Sequence, residues 1–533
     1  MSWSSDFKSG LQSQSIAPRY MLRFVSFANC PGSDLVIYSD SGSLQIDAEG
    51  PTINGSSVIP GSWSITFGSF SVPLAGDIRP SMTAIRKGSF ADLWVSLGGN
   101  YERVAMGQLR TLNGFGSRWV LQFADMVSAL QSRADGVPSN TGVNDPSHFA
   151  FFRYFDGFGT VNNVYASPNL YVTDISIFEK ETGENGLIKI TEGGSSDFWE
   201  WSAKTTTSAP AGYLTISATH VYPVENAAVS PINGSTTVHP CALLKGYPGH
   251  ILAKLITSTG TGTNGTYDTL PLSWGAGGFD ASLVDVTDMD NVRSWFRSQG
   301  GSGNSYLWEY AVTNPWNTGL RDFVNAAAVV GQWPVWRQDR LSWRGCNDLT
   351  STTAYYHIAA SITDEDIIGV DSIEIFSGDQ NVIYGVSKYK YAVDKSGASY
   401  TTGGASLTID GHTFGLPAQN EIERDTHLYY DATSGNPYTS GGRTNRQNFA
   451  LGDQDRLRAW DQRTYTKINI QVHMRLCRLV CGDVVEVTSR YLWGIDEAYT
   501  GGYFHNKKAM VLGVSYSFQA RSCSLTLAVL HSS

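Results

Sequence analysis

Charge is scarce in this chain: Asp, Glu, Lys and Arg make up only 16% of its 533 residues, and acids outnumber bases for a formal net charge of −10. An acidic balance excludes a protein that grips nucleic acid, whose phosphates demand a basic face; a wall that nucleic acid slides past is still permitted. Cysteine is also scarce. The six, Cys30, Cys241, Cys346, Cys477, Cys481 and Cys523, are irregularly spaced, which excludes a disulfide framework. No apolar run approaches the ~18 residues of a membrane span, and the most apolar helical stretch is "FVNAAAVVG" at 323–331. The opening "MSWSSDFKSGLQSQS" lacks the apolar core of a secretory signal, so synthesis and folding in a cytoplasm are expected.

Catalytic motifs are missing as well. Neither H-E-x-x-H nor G-x-S-x-G occurs, and the ten histidines are scattered singly, which disfavours the common metalloproteases and esterases. "GTGTNG" (Gly260 to Gly265) has the letters of a dinucleotide fingerprint but follows a helical stretch rather than a strand, so it reads as a loop. "DVTDMDN" (Asp285 to Asn291) lacks the central glycine of a calcium loop and has Phe296 where the bidentate glutamate belongs. Capping of a helix that starts near Asn291 is the expected use. Cys477 and Cys481 lie in strand-patterned text, where ~3.3 Å per residue parts them by about 13 Å, too far to share one metal. Reduced core cysteines are expected. Asp197 and Glu200 beside Trp199 and Trp201 have the residue types of a glycosidase pair over a sugar, with an edge strand or surface loop as the plainer reading. The Asn-Gly pairs at 54, 233 and 264 read as turns. No catalytic, cofactor-binding or metal-ligating residue is therefore assigned.

What the chain does have is glycine (55 residues) and aromatics (12%), a mixture suited to β-structure with many tight turns. Its length suggests roughly three or four domains. Residues 1–18 are polar and read as an arm. Strands begin at Tyr20, with Trp63, Ile65 and Phe67 on one face of "SWSITF" and Gly98, Gly99 and Asn100 turning between two more. A short helix carrying Met126, Val127 and Leu130 closes this unit, 19–135. A loop-rich β-unit follows at 136–235. In "HPCALLKGYPGHILAKLITSTG", "DMDNVRSWFRSQ" and "NTGLRDFVNAAAVVGQWPVW" apolar residues take helical spacing, which marks 236–340 as a mixed helical insertion. β-text returns for 341–533, interrupted by a Gly-rich insertion near 395–445.

The last strands are the best patterned. Leu512, Val514, Tyr516 and Phe518 alternate with Gly513, Ser515 and Ser517; Cys523, Leu525, Leu527 and Val529 alternate with Ser524, Thr526 and Ala528. This is a hairpin with its apolar row inward and its hydroxyl row facing water, a neighbour or a lumen. Held this firmly, it is expected to be an edge on which something else rests.

"CGDVVEVTSRYLW" followed by "KKAMVLGVSYSFQARSCSLTLAVL" resembles the closing β-unit of tailed-bacteriophage tail and baseplate hub proteins. "RLSWRGCNDLTSTTAYYHIAASITDEDIIGVDSIEIF" and "VHPCALLKGYPGHILAKLITSTG" resemble middle segments of that group. The resemblance implies a mainly β, multidomain chain with a mixed α/β insertion and tail-tube-like β-barrel or sandwich domains. It implies a non-enzymatic hub subunit in a virion tail tip, forming a ring, most simply a trimer, that continues the tail tube. Implied partners are distal tail or tail tube proteins, the tape measure protein, and tail fibre or receptor-binding proteins, with DNA passing through the lumen unbound. A distal tail ring is one alternative. A glycan-binding or glycan-cleaving tip protein is another, with Trp199, Trp201, Trp308, Trp316, Trp333 and Trp336 as stacking residues.

Overall fold

The structure, a computed structural model, describes residues 3–13, 16–24, 35–39, 42–49, 62–67, 90–115, 118–125, 127, 159–160, 168–180, 185–192, 195–216, 236–257, 283–297, 308–312, 319–337, 340–349, 357–377, 386–391, 405–410, 421–425, 429–430, 456–457, 459–461, 465–492 and 503–530. Helix α1 (Ser5–Gln12) precedes β1 (Arg19–Phe24), β2 (Leu35–Ser39), β3 (Gly42–Glu49), β4 (Ser62–Phe67), β5 (Phe90–Ser96), β6 (Glu102–Phe115) and β7 (Arg118–Asp125). Then come β8 (Gly159–Thr160), β9 (Asn169–Val172), β10 (Gly186–Glu192), β11 (Ser195–Ser208), β12 (Ala211–Ile216) and β13 (Thr237–Gly246). Helices α2 (Pro248–Thr257), α3 (Val286–Arg297) and α4 (Gly319–Val329) enclose β14 (Trp308–Val312) and lead to the hairpin β15 (Gln332–Arg337) and β16 (Arg340–Gly345). The remainder is β17 (Ile358–Thr363), β18 (Glu374–Ser377), β19 (Val386–Tyr391), β20 (Ala405–Asp410), β21 (Glu421–Asp425), β22 (Tyr429–Tyr430), β23 (Tyr465–His473), β24 (Val484–Ser489), β25 (Phe504–Ser517) and β26 (Ser522–Leu530).

The chain is mainly β. A 13-stranded sheet runs in the order β18-β23-β26-β25-β3-β4-β7-β6-β5-β1-β2, with β24 on β25 and β17 parallel to β24. Its inner face carries residues from both ends of the chain: Tyr20, Leu22, Leu93, Val95, Leu121 and Phe123 share one buried cluster with Ile468, Val487, Leu525 and Leu527. A sheet whose distant strands meet over one core must curl, as twisted strands do. It curls without closing, however, since among the described residues β18 and β2 each have a single partner strand. The closed-barrel form of the expected fold is thus corrected to an open, curled sheet. Residues 340 and 341, taken above as the end and start of neighbouring units, lie together in β16.

An eight-stranded sheet, β22-β14-β13-β10-β11-β12-β9 with β8 on β13, packs Ile188, Ile190, Trp199, Trp201 and Leu214 into its own cluster. The helices and the β15–β16 hairpin form a third cluster. It includes Ile251, Phe323, Trp343 and Trp460, and it reaches Met510, Ala528 and Leu530 on the large sheet.

Four sequence expectations change. Residues 1–18 are not an arm throughout, because α1 forms there: the Ser4 hydroxyl accepts the Phe7 N–H (3.3 Å), and Trp3, Phe7 and Leu11, four apart, are buried. Three apolar residues are too few for the period to stand out. The stretch read as helical from 239 is strand until Gly246, and α2 begins at Pro248, a residue suited to the first helical turn. Pro240 is tolerated in β13 where the strand pairs with β10 but neither β8 nor β14. Third, α3 starts five residues before Asn291, at Val286, where Asp285 accepts the Asp288 N–H (3.1 Å). Finally, a bulge between Val511 and Gly513 takes Leu512 off the inward row of the last hairpin: Val511 enters the sheet's core and Leu512 packs on the helical cluster instead. Of the short helix after β7, only buried Val127 is described.

Candidate functional site

The hairpin β25–β26 is central in the large sheet, and what rests on its turn is α1. Phe7 meets Phe518 with ring centroids 6.2 Å apart. Arg521, at φ 54°, donates from Nη1 to the Gly10 carbonyl (2.9 Å) and from Nη2 to the Ile16 carbonyl. The Gly10 carbonyl, which also accepts the Ser13 N–H (3.2 Å), and the Ile16 carbonyl beyond the helix are thereby tied to the hairpin turn by one arginine. Trp3 Nε1 donates to the Arg103 carbonyl (3.2 Å), so α1 closes the end of the curled sheet from both sides.

Beside α1 opens a cleft of ≈ 900 Å³, lined by Leu11 and Gln12, Glu365 and Asp366, His473, Arg475 and Arg521. Three of its charged groups are engaged with its own walls. Buried Asp366 accepts from Arg475 Nε (2.6 Å) and from the Thr363 N–H (2.9 Å), and Arg521 serves α1.

The outward face of the hairpin, away from the core, continues across seven strands. By register His473, Ser522, Ser517, Gln45, Ser64, Gln122 and Thr111 stand in one row. The next row is Gln471, Ser524, Ser515, Asp47, Ser62 and Ala124, and the third Asn469, Thr526, Gly513 and Glu49. Where the side chains of these rows are described, on β23, β26, β25, β7 and β6, hydroxyls and amides dominate beside His473, and Lys467 stands in the next row opposite Ala528. Near the hairpin's end this face turns inward, with Ala528 and Leu530 buried under the helical cluster.

The "GD" before β24 has a tertiary purpose. Asp483 accepts from Arg344 Nε (2.7 Å), and Arg344 Nη1 reaches Asp288 on α3 (2.6 Å); Arg344 itself is 2% exposed. Arg337 Nη1 (2.7 Å) and the Ser342 hydroxyl (2.5 Å) also donate to Asp288. Burial raises the Asp288 pKa, but the Arg344 and Arg337 charges and the hydrogen bonds outweigh it and hold the carboxyl below its usual value. Gly482, at φ +95°, is needed because a Cβ there would stand 2.7 Å from Arg344 Cβ. The acidic run at 285–291 thus caps α3 and welds it to the sheet.

Cys477 and Cys481 are not in a strand. β23 ends at His473, and the 3-10 turn Met474–Leu476 and further turns carry the chain past both cysteines to β24. The spacing estimate made for a strand therefore does not apply. Cys241, Cys346, Cys477, Cys481 and Cys523 are buried thiols outside any disulfide, and Cys30 lies outside the described residues. Burial pushes the Cys346 and Cys477 thiols up to about 12. Among the described residues no group of three or more His, Cys, Asp or Glu is placed to hold a metal, and no helix is long and apolar enough to cross a membrane.

Trp199, Trp201 and Trp333 are buried core residues and Trp336 is half-buried; nothing is described of Trp316. Glu200 accepts from Asn185 Nδ2 (3.0 Å), and Asp197 sits opposite Ile190 in the β10–β11 register. Gly260–Gly265 and the Asn-Gly pairs at 54, 233 and 264 lie outside the described residues. Sequence reasoning missed Arg344 and Arg521 altogether. Their partners stand 139 and 511 residues away, and no local pattern encodes such pairs.

No protein-family model matches this chain, nor does any curated protein. Among solved structures it is similar to the tail protein from Neisseria meningitidis MC58, at 10% identity over 97% of each chain with a TM-score of 0.36. It is similar to the 43 kDa tail protein of prophage MuSo2 from Shewanella oneidensis, at 9% identity over 96% of this chain and 98% of that one, TM-score 0.36. It is also similar to the E. coli c3393 protein, described as a type VI secretion system component with structural similarity to T4 bacteriophage tail proteins gp27 and gp5, at 10% identity over 92% of this chain and 73% of that one, TM-score 0.30.

Proposed function

We propose that the chain is a structural subunit of a bacteriophage tail tip, forming a hub ring that continues the tail tube and holds tip or fibre proteins during attachment and DNA delivery. The observation that carries this reading is the outward face of the large sheet. Around the last hairpin this face offers hydroxyls and amides on β23, β26, β25, β7 and β6, a surface along which a polyanion passes without being held. The likeness of "CGDVVEV" and "MVLGVSYSF" to hub proteins supports the same reading, with tube or distal tail proteins and the tape measure protein as neighbours in the virion and assembly in the host cytoplasm. The role is scaffolding rather than catalysis. Buried Trp199, Trp201 and Trp333 favour it over a glycan-binding or glycan-cleaving tip protein, whose stacking residues must be exposed.

Native mass measurement of the purified protein, alone and with tube protein, tests the proposal. A ring, threefold in the simplest case, is expected. A stable monomer at micromolar concentration that tube protein does not assemble overturns it, as does clear turnover of a polysaccharide.

A further inference from the structure

No further inference is drawn: the strongest candidate, the cleft between α1 and the 3-10 turn after β23, lined by Leu11, Glu365, His473, Arg475 and Arg521, belongs to the site already described, and nothing in the structure shows what occupies it.

Discussion

Replacing Arg344 by methionine removes the cation between Asp288 and Asp483 and keeps much of its length. In the wild type Arg344 is 2% exposed, Asp483 5% and Asp288 14%, so the change strands two largely buried carboxylates. Breaking a buried pair from one side costs about 3–5 kcal/mol, far more than the pair contributes over an apolar replacement of the whole group. Asp288 retains Arg337 and Ser342, and Asp483 retains the Val480 N–H at 3.0 Å, which places the expected loss at the lower end, about 3 kcal/mol. The sign with pH is specific. Asp288 titrates below its unfolded value in the wild type, so its contribution is complete above about pH 4 and is lost as acid is added below that. In the variant burial acts with Arg344 gone, the carboxyl takes up a proton more readily, and the deficit against wild type should shrink between pH 7 and about pH 4. Urea unfolding followed at several pH values, with α3 reported by a local probe, reads this out. A loss under about 1 kcal/mol, or one that is the same at every pH, refutes the electrostatic weld between α3 and the sheet.

Arg521→Ala should loosen α1 without unfolding the sheet, because it removes two charged donors to the Gly10 and Ile16 carbonyls; amide exchange across residues 5–12 should quicken about tenfold or more while β23 is unchanged. Leu527→Asp puts a charge where the side chain is 0% exposed and should cost several kcal/mol in thermal melting. Thr526→Asp, half-buried and losing one 2.9 Å bond to Asn469 Oδ1, should cost about 1 kcal/mol, and equal damage from both would show that the hairpin faces the other way. The five buried thiols should resist a thiol reagent at pH 8 until the protein unfolds, since burial holds Cys346 and Cys477 up at about 12. Stoichiometric zinc or iron by elemental analysis would contradict their reading as core residues.

Strand text was legible wherever one face is buried and the other wet. In β23 the alternation of Ile468, Ile470 and Val472 with Lys467, Asn469 and Gln471 is visible letter by letter, and the same holds for β26 as far as Leu527. It failed where a second layer covers the other face. Ala528 read as part of the wet side of a hairpin, yet the helical cluster buries it together with Leu530. It failed too where a strand passes into a helix within one apolar run, as between β13 and α2, because periodicity cannot separate the two in short stretches.

The sequence alone settled that the chain is mainly β, that its middle carries helices, and that its last strands form a hairpin, because those features follow from side-chain period and turn chemistry over a few residues. Only the tertiary structure decided that this hairpin is the centre of a sheet joining the two ends of the chain, that its turn holds α1 through Arg521, and that Gly482 and Asp483 serve a buried arginine. Those outcomes depend on which distant strands and charges meet. Pairing across hundreds of residues is chosen by the joint burial of many side chains, and no local stretch carries that choice.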